Sequence, residues 1–143
     1  MKKLITSLAI ISFLAVGQIE ATANHIRNII NNSKYCVRLA TTASKIKDLF
    51  TNSTWGTRGY FVVPANQTVT PTKDFQTLNP QYSDETPALT IDVLTPLGTK
   101  TSTLSNDGRS SFLTNSSSGP ISANTDINLV IGTDGAVTQV PAT

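Results

Sequence analysis

The stretch DINLVIGTDGAVTQV, residues 126–140, decides the fold class. Two β-forming runs, 126–131 and 136–140, flank Gly132-Thr133-Asp134-Gly135, and an Asp-Gly pair readily supplies the positive φ that a tight hairpin turn needs. The same pattern recurs toward the N-terminus. Residues 88–94 (ALTIDVL) alternate, with Leu89, Ile91 and Val93 on one face, and Thr95-Pro96-Leu97-Gly98 turns the chain into a strand over 99–104. Residues 59–63 (GYFVV) are a compact apolar run stopped by Pro64, whose missing N–H and fixed φ end a ladder. Residues 67–71 fit a short edge strand. Residues 26–30 and 35–40, either side of Asn31-Asn32-Ser33-Lys34, predict a second hairpin.

Two stretches depart from this pattern. Ile46, Leu49 and Phe50 fall at helical spacing behind Ser44 as an N-cap, which predicts one short helical turn near 44–50. Residues 105–124 (SNDGRSSFLTNSSSGPISAN) are dominated by turn formers and read as a long mobile loop, tacked down by Phe112, Leu113 and Ile121. Thr, Ser and Asn make up roughly a third of residues 24–143, which suits strands with a wet face and polar turns. The expectation is an all-β protein: a single antiparallel β-sandwich, immunoglobulin-like or related, with about seven short strands rather than a barrel.

Residues 1–23 read as a secretory signal peptide. Lys2 and Lys3 form a basic start, residues 4–17 (LITSLAIISFLAVG) an apolar core, and Ala21 and Ala23 the small-x-small cleavage pattern. The apolar run is shorter than the about 20 residues a bilayer-spanning helix takes, so no transmembrane anchor is expected after cleavage. The destination is secreted or periplasmic, and one domain is expected over 24–143.

Without the leader, nine Lys/Arg face eight Asp/Glu, so the overall basicity is not a nucleic-acid signal. The charges are divided along the chain, however. Residues 24–74 carry seven basic and two acidic side chains, whereas residues 75–143 carry two basic and six acidic ones. Two readings follow: the halves pack together and neutralise each other, or a basic face meets an anionic surface. The lone Cys36 cannot form a disulfide within the chain, so stability rests on core burial. Its place in an alternating β pattern suggests a small buried hydrophobe, with an intermolecular bridge as the other option.

Much chemistry is argued against. His25 is the only histidine, so neither a His-rich metal site nor a Cys/His zinc site is expected. In the expected hairpin, His25 and Cys36 sit about 13 Å apart, too far for a nucleophile–base pair. Ser44-Lys45-Ile46-Lys47 matches the Ser-x-x-Lys of penicillin-binding enzymes, but the companion motifs fall in the wrong order in a chain too short for that fold. Asn124, Asp126 and Asn128 resemble the start of a calcium loop, yet Leu129 and Gly135 occupy the positions that need Gly and Glu. Asp84 and Glu85 are adjacent loop carboxylates with no opposing acid at glycosidase spacing. Asn31, Asn52, Asn66 and Asn115 begin Asn-x-Ser/Thr triplets, which this composition generates freely.

What remains is a non-enzymatic, cofactor-free binding protein of the cell envelope or extracellular space. Its ligand face is expected to use Trp55, in the polar loop 52–57, with Arg27, Arg38 and Arg58. A glycan, an anionic envelope surface or another protein are the partner classes in view; nucleic acid is not. The alternative is a structural subunit or adhesin of a surface assembly, joined by β-strand addition.

Overall fold

The computed structural model describes residues 24–41, 61–71, 75–77 and 88–143. Those residues form strands and no helix. In chain order the strands are β1 (Asn24–Asn31), β2 (Val37–Thr41), β3 (Phe61–Val63), β4 (Thr68–Val69), β5 (Phe75–Thr77), β6 (Ala88–Thr95), β7 (Gly98–Asn106), β8 (Ser110–Leu113), β9 (Ile121–Ser122), β10 (Ile127–Ile131) and β11 (Val137–Pro141). A five-stranded sheet runs β11-β10-β1, with β4 and β5 sharing the far edge of β1. A six-stranded sheet runs β3-β2-β6-β7-β8-β9. Every pairing is antiparallel except β1 with β10.

One core lies between the sheets, which is the layering of a β-sandwich. The five-stranded sheet contributes Ile26, Ile29, Ile127, Leu129, Ile131 and Val137, and the six-stranded sheet contributes Val37, Leu39, Val63, Leu89, Ile91, Val93 and Leu104. Each such side chain adds about 1.5–3 kcal/mol on leaving water, the main force holding the layers together. The alternation of residues 88–94 is realised as expected: Leu89, Ile91 and Val93 face inward. Both predicted hairpins in the second half form, β6–β7 through Thr95–Gly98 and β10–β11 through Gly132–Gly135. Gly135 takes a φ of 85°, and Asp134 Oδ1 accepts the Ala136 N–H at 3.0 Å.

β1 shows how a broken pattern is repaired. Asn24 and Ile26 face inward, but so do Ile29 and Asn31, which a period of two forbids in one regular strand. The register against β10 slips between Ile26 and Asn28, leaving Arg27 as an extra residue. This bulge sends Arg27 and Asn28 outward together and returns Ile29 to the core.

Three expectations require correction. Residues 26–30 and 35–40 both supply strands, but these do not pair with each other. β1 belongs to one sheet and β2 to the other, so Asn31–Lys34 is a corner between layers. Both strands carry an apolar face, and placing one on each side of the core buries both. The corner is tied by the buried Asn31 amide, whose Nδ2 donates to the carbonyls of Tyr35, Val63 and Pro64 at 2.8, 3.3 and 3.0 Å. Its Oδ1 accepts the Ser33 N–H and hydroxyl at 3.0 and 2.7 Å.

The second correction concerns residues 105–124, which carry the end of β7 and all of β8 and β9 instead of a continuous loop. Leu113 and Ile121 are buried there, while Phe112 turns outward. Amide chemistry supplements this thin apolar anchoring. Asn106 Nδ2 donates to Asn24 Oδ1 across the layers at 3.0 Å, and Asn24 Nδ2 donates to the Ser122 and Thr125 carbonyls. The third correction is Cys36, which is exposed. With Val37 and Leu39 in the core, strand alternation turns residues 36 and 38 outward. The signal peptide with Ala21 and Ala23, and the helical turn near 44–50, lie outside the described residues.

Candidate binding face

The outer face of the six-stranded sheet can be assembled row by row from its registers. Val62, Arg38, Asp92 and Thr101 stand side by side on β3, β2, β6 and β7. One row toward the β6–β7 turn, Cys36 lies beside Leu94, whose N–H donates to the Cys36 carbonyl at 3.0 Å, and Leu94 in turn faces Thr99. On the other side Ala40, Thr90 and Thr103 form a row, and beyond it Ser105 stands opposite Phe112. Neighbouring strands are about 4.8 Å apart, so a four-strand row spans roughly 14 Å.

The centre of this face is an ion pair. Arg38 donates from Nε at 3.2 Å and from Nη2 at 2.8 Å, both to Asp92 Oδ2, and the Thr101 hydroxyl donates to Oδ1 at 2.7 Å. Both carboxylate oxygens are therefore engaged, which suits a residue only 9% exposed. Val62 beside Arg38 and Leu94 in the next row are 36% and 39% exposed; Phe112, 38% exposed, stands two rows beyond Thr101 toward the far end of the face, and Leu97 is fully exposed in the β6–β7 turn.

Arg27 lies elsewhere. It points from the bulge of β1 to the outside of the five-stranded sheet, where its Nε donates to Asp126 Oδ2 at 2.7 Å. His25 Nδ1 sits 3.5 Å from the other oxygen of the same carboxylate. The Arg27 hydrogen bond and charge, with His25 adding to them, hold the Asp126 carboxyl below its ordinary value of 3.8. Asn28 Nδ2 donates to Asn128 Oδ1 at 3.2 Å, and Thr70 donates to Asn28 Oδ1 at 2.7 Å. The Asn124–Asp126–Asn128 series thus presents a carboxylate already matched to a guanidinium, a poor start for a cation site.

Of the four residues expected on one ligand face, Arg27 and Arg38 occupy different sheets, and Trp55 and Arg58 lie outside the described residues, as do Asp84 and Glu85. His25 lies on β1 of the five-stranded sheet, and Cys36 just before β2 of the other. Sequence reading missed Asp92 and Thr101 as partners of Arg38. The outward phase of Asp92 was visible in the alternation of 88–94, but its neighbour depends on a pairing between residues 54 positions apart. Leu97 carried no signal beyond its place in a Pro-Leu-Gly turn. No family model matches the chain, and neither a curated protein nor a solved structure does.

Proposed function

We propose that this chain is an exported, non-enzymatic binding protein of the cell envelope or extracellular space, and that it binds another protein through the outer face of its six-stranded sheet. The observation that carries this reading is the composition of that face: an internally neutralised Arg38–Asp92 pair flanked by Val62 and Leu94, with Phe112 further along the same face. Half-exposed apolar groups around a satisfied arginine suit a macromolecular interface, where apolar groups and Arg gather at the centre. A pleated sheet face is also flat, unlike the concave sites that enclose small ligands. Because Arg38 and Arg27 each hold an aspartate, neither offers an unmatched charge to an anionic surface. Export rests on the leader pattern of residues 1–23.

The test is a binding screen with the full chain against immobilised envelope proteins, a glycan array and phosphatidylglycerol vesicles. Three proteins are compared: wild type, Trp55→Ala, and the double variant Val62→Lys with Leu94→Lys. Binding to a protein that the double variant loses at least tenfold supports the proposed face. Protein binding undiminished by the double variant sinks it. Binding confined to glycan or vesicles and lost with Trp55→Ala would transfer the function to the 52–57 loop.

A further inference from the structure

The outer edge of β11 is a strand-pairing edge closed by a thin strap of the chain. In the β10–β11 hairpin, Gly132 N–H donates to Ala136 O and Ala142 N–H donates to Asp126 O. With the observed register, the even-numbered residues of β11 therefore bond to β10, and Val137, Gln139 and Pro141 turn their backbone groups away from it. Such a row is a template for another strand. It is covered by residues 114–120 (TNSSSGP), which leave β8 in one sheet and cross to β11 in the other. The Gln139 N–H donates to Ser118 Oγ at 3.1 Å, and Gln139 Nε2 donates to the carbonyls of Gly119 and Ser111 at 3.1 and 2.9 Å. Ser118 is held in turn by Ser116, hydroxyl to hydroxyl at 2.7 Å.

Two features mark this as a closure that can open. Ser117, Gly119 and Pro120 are exposed, and the strap buries no apolar side chain between Leu113 and Ile121, so among the described residues it is held to β11 by hydroxyl and amide bonds. Among the described residues, Gln139 Oε1 is also buried without a hydrogen-bond partner. A buried acceptor without a donor costs stability and marks an arrangement short of its optimum.

We infer that β11 is a latent self-pairing edge, that the Ser116–Gly119 strap is an autoinhibitory guard over it, and that the occupant it excludes is β11 of a second copy. The edge is self-complementary in antiparallel register about Gln139. The two Gln139 residues exchange N–H and C=O bonds, and each Val137 N–H meets the Pro141 carbonyl of the other copy. Pro141 offers no N–H, which limits the pairing without abolishing it. On the outer face the same register sets Val140, 39% exposed, against Thr138 of the other copy. The result is one sheet continuous through two molecules. It uses the sheet opposite to the proposed binding face, so the two readings stand or fall separately.

Analytical ultracentrifugation of the full chain tests the guard. Ser118→Ala removes the hydroxyl that occupies the Gln139 N–H and is expected to dimerise about thirtyfold more tightly than wild type, the share of the two hydrogen bonds, one per copy, that pairing displaces. Ser118→Thr keeps the hydroxyl and behaves as wild type. Adding Val137→Pro to Ser118→Ala deletes an outward N–H, leaves the β10 ladder intact and returns the protein to monomer. Dimerisation of Ser118→Ala no tighter than wild type overturns the inference, as does association that Val137→Pro leaves untouched. Should Ser118→Ala fail to fold, amide exchange of wild type decides. Exchange at Gln139 in step with the strap, and faster than at Val130, is the expected result; exchange as slow as at Val130 overturns it.

Discussion

At the scale of single residues, the carboxylates are the most sharply placed groups. Asp107 Oδ1 accepts the N–H groups of Arg109 and Ser110, both at 2.9 Å, closing the β7–β8 turn. The Ser110 N–H first, then that of Arg109, holds the Asp107 carboxyl below its ordinary value of 3.8. A carboxyl depressed in the folded chain binds fewer protons there than in the unfolded one. Its stabilisation is therefore present above 3.8 and is lost as pH falls through the lower folded value. Asp107→Asn and Asp126→Asn are accordingly expected to melt below wild type at neutral pH, with the gap closing under acid; thermal scans across pH read this directly. Cys36 allows a second prediction. As an exposed thiol it reacts with a maleimide in the native protein as fast as in the denatured one, and protection until unfolding would refute its outward placement. That outward phase was legible in principle. Tyr35 to Leu39 alternates, and the choice of inward face turned on Val37 and Leu39 together outweighing one thiol.

At the scale of elements, local turn chemistry carried much of what could be read. Asp-Gly at 134–135 and Pro-Leu-Gly at 96–98 bring adjacent strands together through a few residues, so their hairpins were legible. The Asn31–Lys34 turn was misleading because an Asn-rich corner looks the same whether it reverses a strand in one sheet or passes it to the next. What distinguishes the two is the reach of the Asn31 amide to Val63 and Pro64, over 30 residues away. Asn31→Ala strips three carbonyls, that of Val63 in a buried bond and those of Tyr35 and Pro64 in part-buried ones, of their donor, and a loss of about 2–3 kcal/mol in urea unfolding is expected. The glycines separate backbone strain from crowding. Gly135→Ala meets both a φ of 85° and a Val93 methyl 3.2 Å from the new Cβ, whereas Gly98→Ala meets a φ of 129° and open space. Each pays conformational strain of about 1 kcal/mol. The extra destabilisation of Gly135→Ala over Gly98→Ala measures the contact with Val93, and equal values would show that the turn yields freely.

At the scale of the whole molecule, two of the charges divided along the sequence are paired across it among the described residues. Arg27 and Arg38, from the basic half, hold Asp126 and Asp92 from the acidic half. A double-mutant cycle of Arg38→Ala and Asp92→Ala is expected to show coupling of about 1 kcal/mol, since Asp92 is nearly buried and loses its cation; additive effects would mean that Thr101 alone suffices. The sandwich layering was legible from alternation, whereas the long-range pairings were not, because local residues do not encode which distant strand lies alongside. The parallel union of β1 with β10 is the extreme case, linking residues about 100 positions apart. It has a consequence in time. Until the final hairpin has been synthesised, β1 has no partner on that side, and the five-stranded sheet cannot close. Such late, long-range closure makes folding slow relative to local hairpin formation.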